Sequence, residues 1–530
     1  MFFVLFKKYG DGVIVVLSKK EGSQESFINK TTTGVKSRGN PLLKTKIEAY
    51  YPLHIHTRII SSKPLQDIEV YKKAYEKMKS KPGNMTPGSN GNTLDGMSLK
   101  RLENLRNSIM DWTFEFKPTR RIYIPKANGK MRPLGIPSTM NKLLQTVLKD
   151  LIEPDLEKIL NPKSFAFRPQ KSLHLPLLEI QKMTGITWII EGDITGYSDN
   201  IDHHILAKLI KEKINPDQTI MNLIWKFLRA GYMKVEKGYK DSLIGVPQGG
   251  ILSPILSNLY LTPFDEYVDF LKKKFKKLPI SIRNPEYRKH EWIINNNRRK
   301  LARSTVRSPE EIIEIKNTIV KEGIKLRSMP SALRTGSKIH YVRYADDWII
   351  GVTGPKSLAL EIKDRVKKFL NQELKLELNM DKTKLTNIGS EYTKFLGHYI
   401  KAQTLSQNKT SRRRSVETRK IFNIRKSTGK PKIIVPKDLL KERLIKNGIA
   451  NMNGFSKRCS KFIFLPDHEI INRYNLVLRE IMNFYNMAEN RSDPNKAIYI
   501  LEYSLAHTLA AKHRSSISKI FKKIWKALWM

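Results

Sequence analysis

The chain of 530 residues carries 97 lysines and arginines against 50 acidic residues, a formal net charge of +47. Such an excess is larger than solubility requires and predicts a polyanionic partner, with nucleic acid favoured over an anionic membrane. A hydrophobic content of 40% excludes a disordered chain. The single cysteine, Cys459, excludes an intrachain disulfide and a cysteine-based zinc cluster, and the apolar runs are too short for a membrane span.

The first half of the chain contains a helix, a loop and a hairpin in that order. Residues 1–60 form an extension of unclear structure, and residues 1–20 contain Asp11 but no arginine, which is a poor mitochondrial presequence. Apolar residues recur with a helical period over 65–80, and Pro and Gly predict a loop after it. Within RRIYIPKANGKMRPLGIP (120–137), Asn128-Gly129 predicts a β-hairpin between two extended runs.

Acidic residues end two apolar runs where a core strand would favour another aliphatic residue. TWIIEGDI (187–194) predicts a buried strand ending at Asp193, and HYVRYADDWIIGV (340–352) places Asp346 and Asp347 between two apolar runs. Adjacent carboxylates repel unless a cation sits beside them, and hard oxygen ligands suit Mg²⁺. Acids at strand ends can hold two Mg²⁺ roughly 4 Å apart, which would activate a 3′-hydroxyl and stabilise pyrophosphate. The alternative for two adjacent aspartates alone is an ordinary turn.

The second half changes from mixed to helical structure. Residues 281–336 are a basic, polar insertion with helical parts, and 357–374 predict an amphipathic helix. Residues 405–432 predict a basic linker or an RNA-facing loop, which places a domain boundary there. The tail predicts helices with aromatic residues among basic ones. The expected fold class is therefore α+β followed by an all-helical end, with domains at 1–60, 61–400 and 401–530.

Several segments together resemble the motifs of reverse transcriptases, in the family's order and over residues 65–400. They are the hairpin, SFAFRPQKS (164–172), GDITGYSDNIDH (192–203), GVPQGGILSPILSNLYL (245–261), YADD and KFLGHYI (394–400). The segment after residue 70 and the helical tail resemble group II intron-encoded proteins, in which the tail is the thumb and maturase region. The resemblance implies a right-hand polymerase fold, with fingers, a palm built on an antiparallel sheet, and an all-helical thumb/maturase domain.

The resemblance also implies a function and its partners. Proteins of this family bind the group II intron RNA that encodes them and promote its splicing, and they copy an RNA template from a DNA primer with deoxynucleoside triphosphates. Two competing hypotheses remain: an RNA-binding splicing factor with an inert polymerase site, and a retron-like reverse transcriptase. No membrane and no zinc are expected as partners.

By the same resemblance, Asp193 and Asp346 are the main ligands of two Mg²⁺, Asp347 supports them, and the carbonyl of Ile194 completes one site. Lys126 and Arg132 are expected to hold the triphosphate, with Arg120 as a helper. Gln248 is expected to line the nucleotide pocket, and Lys382 is expected to lie near the pyrophosphate. A triphosphate needs fixed cations, and arginine offers a bidentate fork. The alternative for each cation is an ordinary surface charge.

One position departs from the family pattern. Five residues after the first metal-binding acid, the family usually has a bulky aromatic residue that blocks a ribose 2′-hydroxyl, whereas this chain has Ser198. Serine is too small to form that wall, so discrimination between sugars is in doubt and the inert-polymerase hypothesis gains support. Tyr197 could substitute only if the strand shifted locally.

A basic run in the predicted linker can contact a phosphate backbone; its expected RNA-binding residues are Arg412, Arg413, Arg414, Arg419 and Lys420. Aromatic residues of the tail are candidates for base stacking, although their helical spacing favours a core role: Tyr474, Phe484, Tyr485 and Tyr503. For His54, His56, His203 and His204 structural roles are expected. The tail has no cysteine pair of the kind found in the H-N-H endonuclease of many relatives, so no DNA cleavage is expected. A mitochondrial location is expected, with a bacterial cytoplasm as the alternative.

Overall fold

The computed structural model describes residues 59–522, with gaps at 84, 126–128, 130, 235–237, 241–243, 304–307, 330, 403–409, 415–420, 426–429 and 491. The predicted extension at 1–60 lies almost wholly outside the described residues, as do Lys126, Arg419, Lys420, His54 and His56. The chain divides into two compact units. The larger contains Tyr50–Lys437 and Met482–Pro494, and the smaller contains Asp438–Ile481 and Asn495–Met530.

The described helices and strands alternate along most of the chain. The helices are α1 Ile68–Lys79, α2 Leu99–Met110, α3 Thr139–Ile159, α4 His174–Gln181, α5 His203–Lys213, α6 Gln218–Arg229, α7 Ser253–Tyr260, α8 Thr262–Lys274, α9 Pro285–Ala302, α10 Pro309–Ser328, α11 Lys356–Leu374, α12 Lys437–Lys446, α13 Asp467–Phe484 and α14 Ser492–Lys512. The strands are β1 Thr119–Pro125, β2 Met131–Ile136, β3 Trp188–Gly192, β4 Tyr232–Lys234, β5 Gly238–Lys240, β6 Lys277–Arg283, β7 Ala332–Tyr344, β8 Asp347–Thr353, β9 Lys384–Asn387, β10 Thr393–Phe395, β11 His398–Ala402, β12 Thr410–Arg414, β13 Ile421–Arg425 and β14 Pro431–Ile434. No described helix is both long enough and apolar enough to cross a bilayer.

The main sheet has the strand order β6-β7-β8-β3-β9, and neighbouring strands are antiparallel. Strand β3 lies between β8 and β9, and its Ile189 and Ile190 are both fully buried although they point to opposite faces. Both faces of the sheet are therefore covered at β3, which explains its unbroken apolar run. Helix α11 covers part of one face with Ile362, Val366 and Leu370, as the predicted helix over 357–374 requires.

A second sheet has the order β2-β1-β4-β5. The predicted hairpin is present: β1 and β2 pair antiparallel, and Gly129 in the connection has a φ of 76°, a conformation that glycine adopts without strain. Helix α3 follows this hairpin. Its N-terminus is capped by the Ser138 hydroxyl, which accepts a hydrogen bond from the amide of Asn141. Leu143, Leu148 and Leu156 anchor α3 in the core of the larger unit.

The structure corrects the predicted linker over 405–432. Strands β12 and β13 pair antiparallel there, and β14 joins β10 and β11 in a three-stranded sheet. The all-helical part therefore begins at Lys437 and not at residue 401. The density of basic residues favoured a loop, whereas the segments Ile421–Arg425 and Pro431–Ile434 form strands once they have partners.

The predicted basic insertion at 281–336 does contain helices. Helices α9 and α10 follow β6 and precede β7, and His290 of α9 forms an ion pair with Glu322 of α10. The helical tail predicted from the sequence is also present. In the smaller unit the Tyr474 hydroxyl lies 2.8 Å from Ser504 Oγ and 3.0 Å from Thr508 Oγ1, which joins α13 to α14.

Candidate active site

The turn between β7 and β8 carries two of the predicted acids. Tyr344 pairs with Asp347 as the last pair of the hairpin, so Ala345 and Asp346 form the turn. Ala345 has a φ of 58°, a left-handed conformation that is unfavourable for a residue with a Cβ atom. Neighbouring groups must therefore hold this turn in place.

A buried ion pair supplies that support. Arg343 donates from Nε and Nη2 to the two oxygens of Asp265 at 2.8 and 2.6 Å, and both side chains are fully buried. Its Nη1 donates to the carbonyl of Ala345 at 3.0 Å. The sequence pattern did not reveal this pair; the signal was a single arginine within the apolar run before the turn and an aspartate within the apolar start of α8.

The register of β3 and β8 brings the third acid to this turn. Gly192 pairs with Trp348, so one step further along the antiparallel ladder Asp193 comes opposite Asp347. The pairing depends on glycine, because a Cβ atom at position 192 would lie 2.0 Å from Cζ2 of Trp348. Asp193, Asp347 and Lys382 line one cavity of about 630 Å³, which extends to the β10–β11 hairpin.

The carboxylates influence one another electrostatically. Burial raises the pKa of the Asp346 carboxyl, and Asp193 raises it further, while Arg132 and Lys382 oppose the shift. Burial raises the pKa of Asp347 to about 6, with additional repulsion from Asp346 and Asp193. Lys382 donates from Nζ to Asp193 Oδ2 at 2.8 Å, and this contact raises the pKa of the lysine. The three carboxylates thus form a cluster with excess negative charge, and the Lys382 ammonium group neutralises part of that charge.

The donor chemistry fits Mg²⁺, since carboxylate oxygens are its preferred protein ligands. Among the residues that the structure describes, no three acidic, histidine or cysteine side chains form a closed ligand set, and Asp193 is paired with Lys382 instead. Ile194 bridges to Leu378, and the bonds of this bridge use the Asp193 carbonyl and the Thr195 amide. These bonds therefore do not engage the carbonyl of Ile194, which was the predicted backbone ligand.

The predicted triphosphate cations occupy different surroundings. Arg132 is exposed on β2 and is close enough to lower the pKa of Asp346. Arg120 instead donates from Nε and Nη2 to the carbonyl of Pro87 at 3.2 and 3.0 Å, so its guanidinium anchors a loop. The structure therefore brings Arg132 and Lys382 towards the aspartates and gives Arg120 a structural partner.

Gln248 lies in a loop that docks on the second sheet. Its Nε2 donates to Asp199 Oδ1 at 3.1 Å, and its carbonyl accepts from the amide of Gly135 at 2.6 Å. Gly249 has a φ of 111°, and a Cβ atom there would lie 2.4 Å from the Gly135 carbonyl oxygen. Glycine is required at 249 by this close approach of two backbones. Gln248, Asp199 and Gly135 line a cavity of about 480 Å³.

The structure excludes Tyr197 as a substitute for the missing aromatic wall. Tyr197 is only 5% exposed, and its hydroxyl donates to the carbonyl of Ser257 in α7. Ser198 is half-buried beside it, and its carbonyl accepts from the amide of Val246 at 2.8 Å. Tyr197 is therefore committed to the core, and its neighbour at the family's aromatic position is the small Ser198.

The remaining predicted residues are placed as follows. Arg412, Arg413 and Arg414 belong to β12, of which the structure describes the backbone alone. His203 contacts the Gly245 carbonyl at 2.6 Å, a structural role.

The aromatic candidates for stacking have protein partners. Tyr474 and Tyr485 are buried, and Phe484 stacks on His398 with ring centroids 5.1 Å apart. Tyr503 lies against Tyr499 with centroids 4.4 Å apart. These contacts favour the core role over base stacking.

An antiparallel sheet that gathers three aspartates beside a hairpin bearing a cation is the arrangement expected of a template-directed polymerase. Comparison with known families agrees: residues 124–400 match the reverse transcriptase (RNA-dependent DNA polymerase) family, and residues 428–529 match the type II intron maturase family. The chain belongs to the group II intron-encoded proteins that combine these two domains. The predicted fold class and the predicted enzyme class, an RNA-directed DNA polymerase, are thereby confirmed.

Similar proteins come from bacteria and fungi. The group II intron-encoded protein LtrA of Lactococcus lactis is 36% identical over 460 residues, which cover 85% of this chain and 74% of LtrA. The COX1/OXI3 intron 1 protein of Saccharomyces cerevisiae is 32% identical over 87% of this chain and 54% of its own length. A cob intron protein of Schizosaccharomyces pombe is 34% identical over 90% and 56%. The chain spans about half the length of these two fungal relatives.

Proposed function

We propose that this protein binds a group II intron RNA, promotes its splicing, and copies RNA into DNA at the Asp193–Asp346–Asp347 site with two Mg²⁺. The convergence of the three carboxylates from two separate strand ends carries the polymerase part of the proposal. The maturase match over residues 428–529 supports the splicing part. LtrA is a group II intron-encoded protein and the two fungal relatives are intron proteins, so these relatives give no support to the retron-like alternative.

Each residue near the site has a task in this mechanism. The three aspartates, with the carbonyl of Ile194, would hold the ions, and the ions would supply positive charge for the 3′-hydroxyl and the pyrophosphate. Arg132 and Lys126 offer the cations that hold the triphosphate, and Arg120 is the predicted helper. Lys382, whose Nζ neutralises Asp193 in this structure, would be available to the pyrophosphate once that carboxylate served as a metal ligand. Gln248, held by Asp199, lines the nucleotide pocket.

Primer extension on an RNA template tests the polymerase role. Asp346→Ala is expected to lower the extension rate more than about a hundred-fold, because loss of a metal ligand removes charge that no neighbour replaces. The exposed Asp364→Ala on α11 is the matched control and is expected to keep the wild-type rate. Both variants are expected to bind the intron RNA like wild type.

The second candidate function is a splicing factor whose polymerase site is inert, and Ser198 is the observation that favours it. In that case wild-type protein extends the primer no better than Asp346→Ala, while both still promote splicing of the intron. Loss of intron binding and splicing with primer extension intact would instead remove the maturase role.

Proposed location follows the relatives. A mitochondrial protein of Marchantia polymorpha is 27% identical over 423 residues, which supports a mitochondrial location, and the bacterial LtrA supports the cytoplasmic alternative. Sequencing the DNA that flanks the reading frame decides between an organelle genome and a bacterial one, and a flanking group II intron would identify the RNA partner.

A further inference from the structure

The loop SFAFRPQKS presents an aromatic ring to solvent in an unfavourable backbone conformation. Phe167 is 58% exposed and has a φ of 56°, and Gln170 in the same loop also has a φ of 56°. Neither the exposed ring nor the left-handed backbone of a bulky residue stabilises the fold. Two such residues within four positions persist only where the surroundings impose them, and such positions concentrate at functional sites.

Arg168 imposes this conformation from within the loop. Its side chain is 5% exposed. It donates to Glu157 from Nε at 3.0 Å and from Nη2 at 2.8 Å, and from Nη1 to the carbonyls of Asn161 and Ser164 at 2.7 and 2.8 Å. These bonds tie the Arg168 guanidinium to three positions earlier in the chain, so the adjoining Phe167 is held outward.

The loop is also joined to the candidate active site. The amide of Phe165 donates to the carbonyl of Arg343 at 3.0 Å, two residues before the turn that carries Asp346. Asn258 donates from Nδ2 to the carbonyl of Ala166 at 2.7 Å and accepts from Arg343 at 3.1 Å. The exposed ring therefore has a fixed position relative to the polymerase site.

A cavity of about 350 Å³ lies against the ring. It is lined by the apolar Ile251, Pro254 and Ile255 and by charged residues, which are Lys149, Glu153, Arg168 and Lys171. Lys149 is paired with Glu153 at 3.3 Å, whereas Lys171 places its Nζ 5.6 Å from the centre of the Phe165 ring. An apolar wall, an exposed ring and a nearby ammonium group match the flat face and the phosphate of a nucleotide.

We propose that Phe167 is a stacking platform for an unpaired base of single-stranded RNA and that Lys171 contacts the phosphate of that nucleotide. The proposal rests on the proposed function for the class of ligand, but it concerns a site other than the aspartate cluster. Stacking on an aromatic ring tolerates any base, so the site binds without sequence preference.

Trp112 provides a matched control within the same chain. It is 53% exposed with a φ of 62°, which makes it another large aromatic residue in a left-handed conformation. The cavity beside it holds only about 10 Å³. Trp112 therefore shares the exposure and the backbone conformation of Phe167 but has no cavity of comparable size beside it.

The test measures binding of the full chain to a fluorescein-labelled single-stranded RNA by anisotropy. Phe167→Asn keeps a residue type that tolerates the left-handed conformation, and Phe167→Leu keeps apolar bulk; both are expected to weaken binding about ten-fold. Phe167→Trp and Trp112→Asn are expected to bind within about two-fold of wild type. Lys171→Gln is expected to reduce the slope of log affinity against log salt by about 0.7.

A second readout separates stacking from folding. An RNA with 2-aminopurine in place of adenines is expected to lose fluorescence on binding wild-type protein and to lose less on binding Phe167→Leu. Thermal unfolding of Phe167→Asn is expected at the wild-type temperature or above it, because asparagine relieves backbone strain. Wild-type affinity in Phe167→Leu, or equal losses in Phe167→Asn and Trp112→Asn, would overturn the proposal. Primer extension is measured separately. A protein that fails to extend the primer but still needs Phe167 to bind RNA would contradict the polymerase proposal and support the stacking proposal.

Discussion

Ser198 stands at the position where a bulky aromatic residue is expected from the family pattern. The neighbouring Tyr197 is turned into the core and is bonded to the Ser257 carbonyl, so its ring cannot take the place of that aromatic residue. We expect a small polar side chain at this position to leave room for a ribose 2′-hydroxyl and to offer it a hydrogen-bond partner.

Restoring a ring at this position is expected to restore the selection. Ser198→Phe should raise the preference for deoxynucleotides over ribonucleotides about ten- to hundred-fold, since steric differences of this size are worth a few kcal/mol. The measurement is kcat/KM for single-nucleotide incorporation with each sugar. Tyr197→Phe, which removes only a buried hydroxyl, is the control. An unchanged ratio in Ser198→Phe would show that residue 198 does not face the sugar.

At the scale of elements, the β7–β8 hairpin depends on α8. Arg343 and Asp265 are separated by 78 positions, and both are fully buried. The pair holds the Ala345 carbonyl and with it the turn that carries Asp346. Removal of one partner leaves the other charge buried and uncompensated. The free energy lost in this way is larger than the net stabilisation that the intact pair provides.

Asp265→Ala is therefore expected to lower the free energy of unfolding by about 3–5 kcal/mol. Urea unfolding of the full chain measures this loss. Asp269→Ala on the same helix is the control: its ion pair with Lys272 is partly exposed, and its loss is expected to cost about 1 kcal/mol or less. Equal losses in the two variants would contradict a special role for the buried pair.

His340 in β7 gives the hairpin a pH dependence. Burial lowers its pKa from 6.5 to about 4, assisted by Lys338, Lys272 and Lys163. The unfolded chain thus binds this proton at a higher pH than the folded chain, so stability is lost as the pH falls from about 6.5 towards 4. His340→Gln is expected to flatten the dependence of the unfolding temperature on pH in that window. The exposed His204→Gln serves as the control, and the same flattening there would refute the assignment.

At the scale of the whole molecule, the net charge of +47 indicates a polyanionic binding partner. Arg298, Arg299 and Lys300 are exposed together on α9 in the basic insertion. Replacing these three by glutamine is expected to reduce the slope of log RNA affinity against log salt by about 2 to 3, as each phosphate contact contributes about 0.7 to 0.9. An unchanged slope would assign this part of the charge to solubility alone.

Much of this fold could be predicted because the signals are local. Asn128-Gly129 predicted the hairpin, apolar periodicity predicted α1 and α11, and an acid after an apolar run located Asp193 at a strand end. The strands β12–β14 were missed because a short strand is stabilised by its partners, and its own residues were dominated by charge. Arg343 and Asp265 were missed because burial of a charge depends on what packs around it.

The sequence by itself determined which residues can do chemistry here: acids at strand ends, glycines at close approaches and a serine in place of an aromatic ring. Turn-forming residues and apolar periodicity depend only on residues that are close together in the chain, so they can be recognised from the sequence alone. Only the tertiary structure decided that Asp193 meets Asp347, that Arg343 supports their turn, and that Phe167 is held outward beside a cavity. Those facts depend on strand register, on desolvation and on packing between distant segments, which no local pattern specifies.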